Sequence, residues 1–155
     1  MKSKLVLDLL LEKKLKIAFA ESMTGGAVVS ELIKHENASK VCELGLVLYS
    51  NEMKKRFTNI TDKEINQFGV VSKMISMMLA ESVLLESYAN IGVGVTGSAG
   101  PTSEPNSSVG EVWVCFLYLG EYSTYHFQFG NIDRENIIKK TTNAIYSLLY
   151  NILNK

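Results

Sequence analysis

The stretch Ala20-Glu21-Ser22-Met23-Thr24-Gly25-Gly26 decides how the chain around it folds. An apolar run over residues 17–20 predicts a buried strand before it, and apolar residues four positions apart predict a helix over residues 27–34 after it. A strand that turns through serine, threonine and two glycines into a helix exposes a hydroxyl and points unpaired N–H groups at a ligand. The turn therefore suits either a phosphate cradle or a serine nucleophile with an oxyanion hole.

Outward from this turn, hydrophobic periodicity and capping residues predict a regular alternation of helices and strands. The predicted helices cover residues 5–15, 27–34, 51–57, a short segment between Thr61 and Gly69, 73–88 and 133–153. The predicted strands cover residues 16–20, 44–49, 91–95, 111–119 and 122–129, with a long loop at 97–108. This order is typical of an α/β protein, and we expect residues 1–155 to form a single three-layer α/β/α domain with a mixed central sheet.

Two strands carry contrasting patterns that predict their places in the sheet. Residues 44–49 are apolar on both faces, so we expect this strand to be central. Residues 122–129 alternate, with Tyr125, Phe127 and Phe129 facing one way and His126 and Gln128 the other, which is typical of an edge strand.

The overall composition narrows the classes of function. Apolar residues make up 46% of the 155 and charged residues 21%, which indicates a globular chain with a real core. Sixteen basic residues balance sixteen acidic ones, so neither nucleic-acid nor membrane binding is expected. Because no leader peptide or membrane span is recognisable, we expect a cytoplasmic protein, with Cys42 and Cys115 as buried free thiols.

Two patterns that resemble known sites are rejected. Gly92-Val-Gly94-Val-Thr-Gly97 matches the dinucleotide fingerprint, but its first two glycines lie inside a predicted strand and Pro101 forbids a helix soon after it. These glycines instead predict close packing against the strand. His35 and His126 have no partners at ligand spacing, so no metal site and no serine–histidine triad is expected.

Three polar turns follow predicted strands, and ligands of such sheets gather at the carboxyl ends of the strands. They lie at residues 21–26, 50–54 and 96–101. Lysine can activate a serine when desolvation lowers its pKa, and Ser30/Lys34 and Ser50/Lys54 are spaced by one helical turn. Lys54 lies nearer the ligand edge and could reach Ser22, although the residues alone leave a structural role open.

Six blocks of the sequence, in this order, resemble the CinA C-terminal domain family, which includes the nicotinamide mononucleotide (NMN) deamidases. The blocks are Ala20-Glu-Ser-Met-Thr-Gly-Gly26, Tyr49-Ser-Asn-Glu-Met-Lys54, Gly69-Val-Val-Ser72, Val95-Thr-Gly-Ser-Ala-Gly-Pro101, Val109-Gly110 with Val112-Trp113, and Asp133-Arg134. The resemblance covers nearly the whole chain, and the sequence is similar to the stand-alone form of the domain.

The resemblance implies an amidohydrolase that converts NMN and water to nicotinic acid mononucleotide and ammonia without metal or organic cofactor. It implies Ser22 as the nucleophile and Lys54 as the base, with Lys55 as the neighbouring alternative and Tyr49 orienting the lysine or the amide. Around them we expect Glu21 to support the turn, an oxyanion hole from backbone N–H groups, and a ribose and phosphate site. The oxyanion donors are Thr24, Gly25 and Gly26, and the substrate-binding residues are Thr96, Gly97, Ser98, Ala99, Gly100 and Arg134.

Some features depart from the family pattern and keep alternatives open. Met23 stands where cysteine is common, the segment 35–40 lacks the usual Pro-Gly, the loop after Pro101 is not glycine-rich, and Asp133-Arg134 comes two residues late. The alternatives are a non-catalytic nucleotide-binding or regulatory module and a hydrolase of another small amide. The apolar residues and tyrosines of the last helix further suggest a homo-oligomer.

Overall fold

The computed structural model describes residues 1–155 and places one mixed five-stranded sheet between two layers of helices. The strands are β1 (Ile17–Glu21), β2 (Cys42–Val47), β3 (Ile91–Gly97), β4 (Glu111–Tyr118) and β5 (Glu121–Gln128). The helices are α1 (Ser3–Lys13), α2 (Ala27–Ile33), α3 (Asn51–Phe57), α4 (Asp62–Phe68), α5 (Lys73–Leu85) and α6 (Arg134–Leu153). The predicted α/β/α fold class is confirmed. No helix is both long enough and apolar enough to cross a bilayer.

The strand order is β2-β1-β3-β4-β5, with β1 parallel to β2 and β3, and with β4 and β5 antiparallel to their neighbours. The prediction that β5 is an edge strand is confirmed, but the prediction that β2 is central is wrong. Leu44 and Leu46 pack against buried residues, Gly45 lies under Val29 of α2, and Val47 is 46% exposed. One face of β2 therefore packs against buried residues, whereas the face that carries Gly45 and Val47 is largely exposed at the edge of the sheet.

The two faces of the sheet carry side chains of different size. Ile17 and Phe19 of β1 belong to the large core with α1, α2 and α6, whereas Ala18 and Ala20 face the smaller core of α5. In β3, a Cβ added at Gly94 would lie 2.2 Å from the Ser76 carbonyl oxygen. The prediction that these glycines allow close packing is therefore confirmed, since α5 lies directly on the backbone of β3.

The last helix packs its apolar residues into the core of its own chain. The buried members of this set are Ile137, Ile145, Tyr146, Leu149 and Leu153. The predicted cap also forms, because Asp133 accepts the N–H of Asn136 at 3.2 Å. The apolar length of α6 thus serves intramolecular packing and is not evidence for an interface between subunits.

The parallel strands β1, β2 and β3 end at the same edge of the sheet. β3 runs through Gly97, two residues further than predicted, and α5 ends at Leu85, three residues before the predicted end. The three polar turns that follow these strands therefore lie side by side, and they form the only polar cleft that contains Ser22.

Candidate active site

A cleft of about 190 Å³ lies at the carboxyl edge of β1, β2 and β3. Its lining comes from three turns and the start of α6: Ser22, Met23, Tyr49, Gly97, Ser98, Ala99, Gly100, Thr102, Glu104 and Arg134. Seven of the residues predicted from the sequence are brought together here. Lys54, Glu21, Thr24, Gly25, Gly26 and Thr96 lie outside this lining. A larger cavity of about 400 Å³ near Leu44 and Phe57 contains none of the predicted site residues.

The Ser22 turn is held by the buried carboxylate of Glu21, which is 1% exposed. Glu21 accepts the hydroxyl of Thr24 at 2.6 Å and the N–H groups of Gly26, Val28 and Val29 at 3.0, 3.2 and 2.7 Å. These bonds satisfy N–H groups that the start of a helix leaves unpaired, and they place a negative charge where the helix dipole favours it. Glu21 therefore fixes the backbone that presents Ser22.

The hydrogen bonds of the turn correct the predicted oxyanion donors. The N–H of Gly25 donates to the Ser22 carbonyl oxygen at 3.0 Å, and the N–H of Gly26 donates to Glu21. The prediction is therefore wrong for these two glycines, because both N–H groups already have acceptors. The N–H groups of Met23 and Thr24 have no acceptor in the protein, so the turn does retain free donors next to Ser22.

Lys54 is the only buried basic side chain of the chain, at 2% exposure. Its Nζ donates to the Leu48 carbonyl oxygen at 2.9 Å, and the N–H of Leu48 donates to the Glu21 carbonyl oxygen at 2.7 Å. The amine thus lies against the strand end that carries Ser22, although no hydrogen bond joins Lys54 Nζ to Ser22 Oγ. Burial lowers the pKa of Lys54 to about 8, and the negative charge of Glu104 opposes part of that lowering.

The other lysines that the sequence offered are in ordinary surface positions. Lys55 makes ion pairs with Glu52 at 2.7 Å and with Asp62 at 3.0 Å, and these carboxylates raise its pKa. Lys34 pairs with Glu31 at 2.7 Å on an exposed face of α2. Only Lys54 combines burial, a lowered pKa and a position beside the cleft.

Arg134, the first residue of α6, links two of the turns that form the cleft. Its guanidinium donates to the Gly100 carbonyl oxygen at 2.7 Å and to the Tyr49 hydroxyl at 2.5 Å. Tyr49 is 63% exposed at the rim. The guanidinium still has other N–H groups, so the cleft contains a fixed positive charge that can donate to an anion.

The loop after β3 separates into structural and open positions. Thr96 is buried and donates to the Val70 carbonyl oxygen at 2.8 Å, and Ser98 bonds the Ser107 hydroxyl at 2.7 Å and accepts the Glu104 N–H at 3.0 Å. The N–H groups of Ala99 and Gly100 have no acceptor in the protein and lie at the cleft. They are the backbone donors of this loop that remain available to a ligand.

Sequence reasoning missed three lining residues, Met23, Thr102 and Glu104. Met23 stands where cysteine is common in the family, but this difference did not predict a position in the lining. A Cβ added at Gly97 would lie 3.2 Å from the Cγ of Met23, so these two positions pack together. The altered loop after Pro101 was a signal for Glu104, but nothing local indicated that its charge acts on the buried amine of Lys54.

The remaining reactive side chains lie elsewhere. His35 bonds the Ser3 hydroxyl at 2.8 Å, and His126 stacks on Trp113 with ring centroids 4.2 Å apart. Cys115 is buried, and burial raises its thiol pKa to about 12; Cys42 is half-buried with a raised pKa. No three His, Cys, Asp or Glu residues gather as a metal site.

Fold and cleft together define the class, which is an α/β/α protein with a polar cleft at the strand ends. Ser22 lines this cleft, and the buried amine of Lys54 bonds the Leu48 carbonyl oxygen just beyond β2. The model of the CinA C-terminal domain matches residues 1–153 of this sequence. The chain therefore belongs to the CinA C-terminal domain family.

Curated relatives carry the same domain within longer proteins. The chain is 37% identical over 151 residues to a CinA-like protein of Dictyoglomus thermophilum and 36% identical over 152 residues to one of Prochlorococcus marinus. These matches cover 96% of this chain but only 36% and 35% of the relatives. The chain thus spans about a third of their length, and their names state no reaction.

Solved structures share the whole fold. The competence/damage inducible protein CihA from Agrobacterium tumefaciens superposes with a TM-score of 0.93 at 28% identity, covering 99% of this chain and 94% of that one. A competence or damage-inducible protein from Enterobacter asburiae gives 0.94 at 26% identity, with 98% and 96% coverage. The observed architecture is therefore that of the CinA superfamily.

Proposed function

We propose that this chain is an amidohydrolase that cleaves the carboxamide of NMN, giving nicotinic acid mononucleotide and ammonia. The observation that carries the proposal is Lys54, a buried amine with a pKa lowered to about 8 beside the strand end that presents Ser22. A lysine without an acidic partner is costly to bury, and a lowered pKa is what a lysine base requires. Membership of the CinA family is consistent with a hydrolase.

In the first step Ser22 Oγ attacks the carboxamide carbon, and its proton passes to neutral Lys54 Nζ. The carbonyl oxygen becomes an oxyanion, which the free N–H groups of Met23 and Thr24 stabilise. Each such donor contributes about 3 kcal/mol in acyl transfer. Since Ser22 and Lys54 are not hydrogen-bonded without substrate, the proton travels through one water or after a side-chain rotation, as catalytic contacts often tighten only on binding.

In the second step the carbon–nitrogen bond breaks, and the ammonium of Lys54 returns its proton to the leaving amine, which departs as ammonia. The enzyme is left as an ester of Ser22. Water then attacks the ester carbon and gives a proton to Lys54, which passes it to Ser22 Oγ as the acid is released. Lys54 ends neutral, so the cycle closes without metal or cofactor.

The phosphate of the substrate is held at the opposite part of the cleft. Arg134 supplies a charge fixed by Gly100 and Tyr49, and Ala99 and Gly100, which line the same cleft, have N–H groups without an acceptor in the protein. Ser98 and Thr96 act indirectly, because their hydroxyls hold the loop. The cleft of about 190 Å³ is open to solvent, which lets part of a nucleotide extend beyond it.

The experiment is ammonia release from NMN by purified protein, with nicotinic acid mononucleotide identified by mass spectrometry. Ser22→Ala and Lys54→Ala should each reduce turnover by at least about a thousandfold. Lys55→Ala is the matched control, since it removes the adjacent lysine from a surface ion pair and should leave turnover unchanged. Normal turnover in both Ser22→Ala and Lys54→Ala would refute the mechanism.

A non-catalytic nucleotide-binding module is the second candidate, and one observation favours it. Ser22 Oγ and Lys54 Nζ make no hydrogen bond with each other. Such a module would bind NMN, seen as a thermal shift, without releasing ammonia. A panel of other small amides in the ammonia assay separates both candidates from a hydrolase of a different substrate.

A further inference from the structure

The cleft carries two charges of opposite sign that are not neutralised by each other. Among its lining residues only Arg134 and Glu104 are charged, and no ion pair joins them. Arg134 donates hydrogen bonds to the Gly100 carbonyl oxygen and to the Tyr49 hydroxyl, and these uncharged acceptors do not neutralise its positive charge. The carboxylate of Glu104 makes no hydrogen bond or ion pair within the protein. Both charges are therefore available to a ligand.

The position of Glu104 is set by its backbone. Its N–H donates to Ser98 Oγ at 3.0 Å, and its carbonyl oxygen accepts the Ser107 hydroxyl at 2.7 Å and the Ser107 N–H at 3.1 Å. Ser98 is itself buried and bonded to Ser107. This cluster holds the loop so that Glu104 lines the cleft, and no hydrogen bond or ion pair within the protein uses its carboxylate.

A carboxylate beside an anion site needs an explanation, because it weakens the binding of phosphate. Part of the explanation is the effect of Glu104 on Lys54, because the carboxylate acts electrostatically on the buried amine. Lys54 has no hydrogen bond or ion pair to Glu104, however, and Glu104 is an exposed residue that lines the cleft. A ligand with a positive charge at some distance from its negative charge would satisfy Glu104 and Arg134 together.

We propose that Glu104 is a specificity residue that selects zwitterionic ligands, with its carboxylate facing a cationic ring while Arg134 holds an anionic group. The inference deepens the proposed function, because NMN carries a pyridinium ring and a phosphate. It predicts that the cleft distinguishes the oxidised, cationic ring from the reduced, neutral dihydropyridine of the same nucleotide. Attraction of one charge at a partly solvated site corresponds to about a five- to tenfold preference.

The test measures the dissociation constants of NMN and of reduced NMN by calorimetry, using the Ser22→Ala protein so that neither is consumed. Measurement at pH 5.5, well below the Lys54 pKa of about 8, keeps the amine charged even though removal of Glu104 lowers that pKa further. The Ser22→Ala protein should bind NMN more tightly than it binds reduced NMN. Glu104→Gln in that background should reduce this preference for NMN at least fivefold, because NMN binding becomes weaker. Arg134→Gln is the control and should weaken both ligands by a similar factor.

The outcomes separate the inference from the proposed function. An unchanged preference in Glu104→Gln overturns the inference, as does an equal weakening of both ligands, which would indicate a structural role. Ammonia release by the unmodified protein is measured alongside. If the unmodified protein releases ammonia and Glu104→Gln keeps the preference for NMN, only the zwitterion selectivity is rejected. If Glu104→Gln loses the preference but the unmodified protein releases no ammonia, the selectivity is supported and the deamidase reaction is rejected.

Discussion

Replacing Lys54 by Met should stabilise the fold at neutral pH while abolishing activity. Burial lowers the pKa of Lys54 from 10.5 to about 8, so the folded protein holds the charged amine at a free-energy cost of about 3 kcal/mol. Methionine fills a similar volume without charge, although it loses the hydrogen bond to the Leu48 carbonyl oxygen, worth about 1 kcal/mol. The net gain at pH 7 is about 2 kcal/mol, or about 4–8 °C in the unfolding midpoint.

The pH dependence identifies the origin of this gain. Because the pKa is lower in the folded state, the cost is fully present below pH 8 and is lost as pH rises from about 8 to 10.5. Urea unfolding of the wild type and Lys54→Met should therefore show the variant more stable at pH 7 and less stable at pH 10.5. Lys55→Met, at an exposed ion pair, serves as the control. A Lys54→Met variant that is destabilised equally at both pH values would refute the reasoning.

Three further predictions follow from the same contacts. Turnover of NMN should rise with pH up to about 8, where Lys54 becomes neutral. Glu104→Gln should move this rise to lower pH, because the carboxylate of Glu104 raises the pKa of Lys54. A pH profile that the substitution leaves unchanged would contradict this prediction. Glu21→Gln should cost about 2–3 kcal/mol in urea unfolding, because an amide cannot accept all the bonds of the buried carboxylate. Gly94→Ala should lower the thermal midpoint, because its added Cβ would lie 2.2 Å from the Ser76 carbonyl oxygen, and a midpoint equal to that of the wild type would contradict this.

The helices and strands were predictable because their apolar periodicity is local. The capping residues Ser72 and Asp133 marked helix starts correctly, and Thr61 with Glu64 forms the predicted capping box. The place of β2 was not predictable from its own residues. A short strand with apolar residues on both faces can lie at the edge as well as in the centre of a sheet, and only its pairing with distant strands distinguishes the two.

The same distinction applies to the candidate site. The positions of Ser22 and Tyr49 followed from a general property of parallel strands, whose carboxyl ends meet at one edge. The acceptor of the Gly26 N–H could not be predicted in this way, because it depends on how the Glu21 side chain folds back on the turn. Glu104 was hidden for a similar reason, since a loop without regular structure gives no periodicity from which its direction could be inferred.

The most direct test of the central claim measures ammonia release from NMN by the wild type, Ser22→Ala, Lys54→Ala and the double variant under identical conditions. If the hydroxyl and the buried amine act as one unit, either single substitution should cost as much as both together. Losses that multiply in the double variant, or full turnover in either single variant, would show that the two residues do not work together.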